Sequence, residues 1–395
     1  MLGTCLKGAL VACLAATIVG AAGFIGCGSA SLGGAAFGGG SSSGGSSGGS
    51  PDTGAPDEGI IGDATSDASS EAAGDAGPGT GALFVHASPD LPDLRFCWYV
   101  GTGDAGSAFS ATDQAFPSGA PAAFSNYPAV PVGGAAPLAD ASSMLGGDLH
   151  LVGLDANALA TFEPAGSLQH SCHDLMNGGG GGLSATAIHP FPVIPAGTVV
   201  QGLTSVIAIE GCLPALFDGN ASTQRCGSSW STLGGNLHVD VHAFSELTTV
   251  PTGQLAVQAQ QLSPGLASLV ADGGAAVVSF GTQGGADDVS VATLSAEGTV
   301  DPVTASVLDA ATVPTDYGQL GFAVDVTGFD GGAGHIWMSL EQSLRLVQPM
   351  ENPATYYAAQ TTFIVAVVGD PNAPHAASDA AYDGTGLHLL VLPLP

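Results

Sequence analysis

From residue 82 the chain carries its apolar residues in short bursts. The runs "ALFVHA", "LRFCWYV", "TVVQGLTSVIAIEG", "NLHVDVHAF", "AAVVSFG", "FAVDVTGF" and "TTFIVAVVGD" are rich in β-branched and aromatic residues and are separated by Gly, Pro, Asp and Ser. Such runs predict strands, and many short strands between turn residues predict an all-β chain built of immunoglobulin-like sandwiches. Helical periodicity is weak, and "PGLASLVADGG", ending on two glycines, is the best short helix. Leu83 and Val85 alternate with Phe84 and His86, as on a strand covered on both faces. Phe96, Trp98 and Val100 alternate with Arg95, Cys97 and Tyr99. Sandwich cores routinely bury such aromatics, so this strand is expected in the core rather than as a ligand platform.

The bursts repeat. "GALFVHASPDLPDL" and "GQLAVQAQQLSPGL" both open G-x-L-x-V-x-A. "GTVVQGLTSVIAIEGCLPA" parallels "ATYYAAQTTFIVAVVGDPNA", and the alternating "GGNLHVDVHAFSE" parallels "GTGLHLLVLPLP". Three matches in one order argue for duplication. They place two tandem domains at 81–248 and 252–395, joined through "TTVPTG".

The N-terminal pattern differs. Lys7, the only lysine, precedes an uncharged apolar run from Gly8 to Gly26. A basic start, an apolar segment and then small residues form the layout of a signal peptide, here residues 1–26. A spanning helix is the competing reading, since the run is barely long enough to cross a bilayer; the flanks favour the signal. Residues 27–80 are Gly/Ser-rich, then acidic and of low complexity, a composition that tethers rather than packs. A GxSxG match at Gly44 to Gly48 lies inside this tether, without the strand and helix that a nucleophile elbow requires. Phe24, Ile25, Gly26 and Cys27 resemble the lipobox of bacterial lipoproteins, with Phe24 and Ile25 the looser matches. That resemblance implies cleavage before Cys27, acylation of Cys27 and attachment to a membrane through lipid. Gly28 in place of Asp implies, by the same resemblance, the outer membrane, on its periplasmic or surface side.

Charge narrows the partners. Four Lys and Arg stand against 34 Asp and Glu, a formal charge of -30 in 395 residues. So acidic a chain repels phosphate backbones, which excludes nucleic acid, and repels anionic headgroups, so that a membrane tether must be apolar. Of seven cysteines, Cys5 and Cys13 fall in the signal and Cys27 takes the lipid. Cys97, Cys172, Cys212 and Cys226 remain, an even set in an exported chain, and predict two disulfides. Cys212–Cys226 closes a loop rich in turn residues, and Cys97–Cys172 follows by elimination. No C-x-x-C spacing marks a metal site.

"VHASPDLPDLRFCW" resembles the start of an exported bacterial domain family of unknown function, marked by V-H-A-S-P-D-A-P and a later G-x-x-Y-T-V-x-V-x-G strand. Val85 to Pro92 carry the first motif, with Leu91 for Ala; Thr204 to Gly211 and Thr362 to Gly369 correspond to the second. The second copy reads "VQAQQLSP" in place of the first motif. The resemblance implies exported tandem β-sandwiches and no activity. Ser88, Pro89 and Asp90 break a strand and suit a turn, so His86 and Asp90 are expected to satisfy backbone groups rather than form a site.

Three patterns could carry chemistry. His238, Asp240 and His242 alternate, so a strand points all three to one face, and two imidazoles with a carboxylate suit zinc. Leu237, Val239 and Val241 would face the core, leaving the polar face to solvent. "QHSCHD" groups His170, Cys172, His173 and Asp174; neighbours on one chain rarely meet as nucleophile and base, so a disulfide with loop histidines is expected, leading into a mobile "NGGGGG" loop. "GTQGGADD" and "GFDGGAG" are acidic turns without EF-hand spacing. The chain therefore reads as a non-catalytic envelope lipoprotein, a structural or adhesion module for a protein or glycan partner, with no cofactor. The alternative is a metal-binding envelope protein using His238, Asp240 and His242. A hydrolase comes third, because no acid–base pair stands out.

Overall fold

The computed structural model describes residues 79–102, 109, 113–118, 129–163, 170–177, 182–216, 219, 222–244, 250, 254–283, 289–309, 317–327, 334–347, 352–358, 362–371 and 386–394. All of them fall within one unit, Ser70–Pro395. The signal segment, Cys27, the tether's GxSxG match and all but residue 250 of the expected join at 248–253 lie outside them.

The chain is mostly β. The first half contributes β1 (Gly81–His86), β2 (Leu94–Val100), β3 (Ala135–Leu138), β4 (Leu149–Asp155), β5 (Ile188–Pro190), β6 (Thr204–Glu210) and β7 (His238–Phe244). The second half contributes β8 (Gln254–Gln261), β9 (Ala275–Thr282), β10 (Val289–Leu294), β11 (Val300–Asp309), β12 (Leu320–Thr327), β13 (His335–Ser339), β14 (Thr362–Val368) and β15 (His388–Pro393). They form four sheets, ordered β3-β1-β6-β7, β2-β4-β5, β11-β8-β14-β15 and β10-β9-β12-β13.

The first and third sheets share one plan. In each, the opening strand pairs parallel with the third in the order (β1 with β6, β8 with β14) and every other pairing is antiparallel. The two sheets thus agree in strand order and direction. The register corrects the alignment read from the sequence repeat. Gly81 and Ala256 both pair with the first residue of their partner strand, so His86 corresponds to Gln261, and Ser88-Pro89 to Ser263-Pro264. The shared letters G-x-L-x-V-x-A are therefore offset by three residues. An odd offset exchanges the two faces of a strand, so that match cannot describe equivalent positions.

The sheets stack through three apolar layers. Phe84 and Ile207 of the first sheet meet Phe96 and Leu151 of the second. Val257 and Val365 meet Val278 and Phe322 in the other half. Between the halves, Leu83, Val85, Val206 and Ala208 pack against Ile364, Ala366, Leu390 and Leu392. Both inner sheets are covered on both sides, which is why β1, β6, β14 and β15 are buried along their whole length and are apolar on both faces except at Thr204, Ser205, Thr362 and the strand-end residues His86, Glu210 and His388. On the far side of β2 and β4, Cys97, Val152 and Leu154 pack under Leu159 and Leu175, which lie in the short helices Ala156–Phe162 and Cys172–Asn177.

The expected disulfides are both present. Cys97–Cys172 ties β2 to the helix Cys172–Asn177 across 5.8 Å between Cα atoms, and Cys212–Cys226 closes its loop across 5.5 Å. The helix replaces the loop expected at Cys172. The expected helix forms over Pro264–Ala271, capped by Ser263, whose side chain accepts from the Leu266 amide.

Each half turns sharply after its central strand, at Gly211 (φ 79) and Gly369 (φ 94). A Cβ at Gly369 would collide with the carbonyl of Gly386, and one at Gly211 with that of Asn236. Gly369→Ala is therefore expected to lower stability by about 3 kcal/mol, combining an unfavourable φ with a backbone clash. Urea unfolding followed by Trp337 fluorescence measures this; an unchanged midpoint would contradict the turn geometry.

Candidate functional site: an acidic cluster where the two halves meet

The most specific sequence motif is used for structure. His86 is fully buried, and its Nε2 donates to the Pro92 carbonyl at 2.8 Å. The Ser88 hydroxyl lies 2.9 Å from Asp90 Oδ1 and 2.7 Å from the Gly211 carbonyl, while Asp90 Oδ2 accepts from the Leu213 amide at 2.7 Å. The Pro89 carbonyl accepts from Arg225, whose guanidinium also lies 3.8 Å from Asp370 of the second half. In that half Ser263 repeats the role of Ser88, donating to the Gly369 carbonyl at 2.6 Å.

Burial pushes the His86 imidazole down to about 4. The folded chain then holds His86 neutral while the unfolded chain takes up a proton near 6.5. Its contribution is complete above pH 6.5 and is lost as pH falls from 6.5 towards 4, by about 3 kcal/mol in all. His86→Gln, which installs the residue found at the equivalent position 261, is expected to flatten the fall in urea midpoint between pH 7 and pH 4.5. Parallel pH profiles for the two proteins would refute the assignment.

"QHSCHD" divides as expected. Cys172 is in its disulfide, His170 Nδ1 lies 2.7 Å from Glu163, and His173 sits 3.6 Å from Asp174 at the surface. Glu163 is buried, as is Arg95, which donates to the Ala115 carbonyl. Burial lowers the Arg95 guanidinium to about 10 while the Glu163 carboxylate supports its charge. The acidic turns "GTQGGADD" and "GFDGGAG" lie largely outside the described residues.

His238, Asp240 and His242 do share one face of β7, with Leu237, Val239 and Val241 packed against the first half's core. The polar face was expected to meet solvent; instead its centre, Asp240, meets the second half, while the His238 side chain remains 40% exposed. Asp240 Oδ2 accepts from Gln260 of β8 at 3.2 Å and lies over Gly298 of the turn before β11. His242 packs on Phe244 with ring centroids 4.4 Å apart.

Among the described residues, the ligand atoms that gather are those of Glu210, His238 and Glu297, all within 4.8 Å of one another. Glu210 ends β6 beside His238 of β7, and Glu297 reaches in from the second half's turn. His238 Nδ1 donates to the Asn236 carbonyl at 2.8 Å, so in the neutral ring the lone pair lies on Nε2, 4.0 Å from Glu210 Oε2. Glu210 has no exposed surface, and its carboxylate oxygens receive no hydrogen bond from an amide, hydroxyl or ring donor among the described residues; the carboxyl of Glu297 is within hydrogen-bond reach when one of the pair is protonated. Burial, followed by the nearby charges of Glu297 and Asp240, raises the Glu210 carboxyl well above the usual range. Burial also raises Asp240.

The sequence reading missed Glu210 and Glu297. One signal was present: Glu210 is the only charge in "SVIAIE", and its counterpart in the repeat is Val368. Glu297, in an ordinary acidic turn, carried none. Comparison with protein-family models and with curated proteins finds no match for the chain.

Proposed function

We propose that this chain is a non-catalytic envelope lipoprotein. In this reading Cys27 is acylated after removal of residues 1–26, residues 27–80 form the tether, and two tandem immunoglobulin-like sandwiches at 81–248 and 252–395 face outward. They act as a structural or adhesion module for a protein or glycan partner. The kinship is with the exported V-H-A-S-P-D-A-P domains, and the location is the outer membrane. The observation that carries the reading is the pair of disulfides, Cys97–Cys172 and Cys212–Cys226, in a chain whose N-terminus has a signal layout ending at Cys27. Structural disulfides persist in oxidising compartments outside the cytosol. The repeated sheet plan supports duplicated domains, and the use of the His86–Asp90 motif in turn closure favours a scaffold role.

The test is mass spectrometry of the mature, non-reduced protein from its native cells, with protease treatment of intact cells. An acylated Cys27 at the N-terminus supports anchoring, and cleavage of the body from intact cells places it at the surface. An intact N-terminus beginning at Met1 would overturn the lipoprotein reading.

A further inference from the structure

The duplicated fold provides an internal control for the acidic cluster. His388 is the counterpart of His238, and its Nδ1 meets the Gly386 carbonyl at 2.7 Å as His238 meets that of Asn236. Gly133 and Gly298 are likewise equivalent: each amide donates at 2.7 Å to the last residue of the opening strand, His86 or Gln261. At the second-half position, His388 Nε2 crosses to the first half's Gly133 carbonyl at 2.5 Å. The residues around it, Val368, Leu390 and Val132, are the counterparts of Glu210, Asp240 and Glu297. The fold therefore closes this junction with apolar residues and one histidine at one end. At the other it holds three carboxylates and a histidine.

Of these carboxylates Glu210 is fully buried, and its charged form needs a cation beside it, the alternative being a bound proton. A buried carboxylate without a partner costs several kcal/mol. The chain's three arginines are engaged elsewhere: Arg95 with Ala115, Arg225 with Pro89 and Asp370, Arg345 with Glu341. His238 turns its Nε2 lone pair inward, and its Nδ1–H is fixed by a backbone carbonyl, as in histidines that bind metal. Transition-metal bonds of about 2.0–2.2 Å hold ligand atoms at most roughly 4.4 Å apart, so the three side chains, now within 4.8 Å of one another, must close slightly around an ion. Imidazole with carboxylates suits transition metals rather than calcium or magnesium.

We infer that Glu210, His238 and Glu297 bind one divalent transition-metal ion, with Asp240 beside it, and that this ion cross-links β6 and β7 to the turn before β11. The inference is independent of the anchoring reading, since it concerns the folded body wherever that resides. Zinc is the probe. The full chain, stripped with chelator, is titrated with Zn²⁺ in a calorimeter, and with Co²⁺ to read the visible absorption of a low-coordinate site. One tight equivalent is expected. Glu297→Gln and Glu210→Gln should each weaken it by on the order of 100-fold or more, while His242→Gln leaves it unchanged. Glu297 lies in a half-buried turn, so that variant remains informative should Glu210→Gln fail to fold. The absence of a tight equivalent would mean that Glu210 and Glu297 share a proton instead, and would overturn the inference. So would an equivalent that survives Glu210→Gln with Glu297→Gln, which would place the metal elsewhere on an acidic surface, or one that His242→Gln removes and Glu297→Gln spares.

Discussion

Removal of the Cys97–Cys172 bridge is expected to lower the stability of the first half by about 4 kcal/mol, the loop-entropy value for the 75-residue separation it closes. The bridge joins β2 to a helix of only six residues, Cys172–Asn177, which is too short to persist without tertiary support. Its loss frees Leu175 and weakens the packing over Val152 and Leu154. Cys97→Ala with Cys172→Ala, followed by urea unfolding, tests this. Trp98 and Trp230 report the first half and Trp337 the second. The 14-residue separation of Cys212–Cys226 gives about 3 kcal/mol in the same model, so its removal should cost less. Equal or reversed effects would show that native-state packing, not loop closure, sets the contribution of each bridge.

Glu163→Ala is expected to cost about 3–5 kcal/mol, the range for removing one of two interacting buried charges, since the Glu163 carboxylate supports the charge of Arg95. Glu163 and Arg95 are 2% and 1% exposed, so water cannot replace the missing partner. The carboxylate also accepts from the backbone amide and ring of His170, anchoring the segment that leads into the bridged helix. Arg95→Met combined with Glu163→Gln removes both charges and should recover most of the loss. If the double variant is no more stable than Glu163→Ala, the two residues are not energetically coupled and the cost belongs to His170 alone.

Seven of the strands, the disulfide pairing and the helix at 264–271 could be read from local pattern, because each depends on nearby residues or on simple counting. Strand alternation in "LHVDVH" likewise assigned the correct face to Leu237, Val239 and Val241. Pattern was weaker where packing is non-local. "ALFVHA" and "QLAVQAQ" matched in letters but not in register, because the hydrogen-bonded partner strand decides which face a residue takes. Pattern also sent the polar face of β7 to solvent, since a single strand carries no record of the sheet that packs opposite. Glu210 stood in the sequence as one charge ending an apolar run, and Glu297 as one acid in a turn 87 positions further on. The sequence alone determined seven of the strand segments, β1, β2, β6, β7, β9, β12 and β14, and which cysteines pair. Only the tertiary structure, by stacking the two inner sheets against each other, brought His238 of one half and Glu297 of the other around a buried carboxylate.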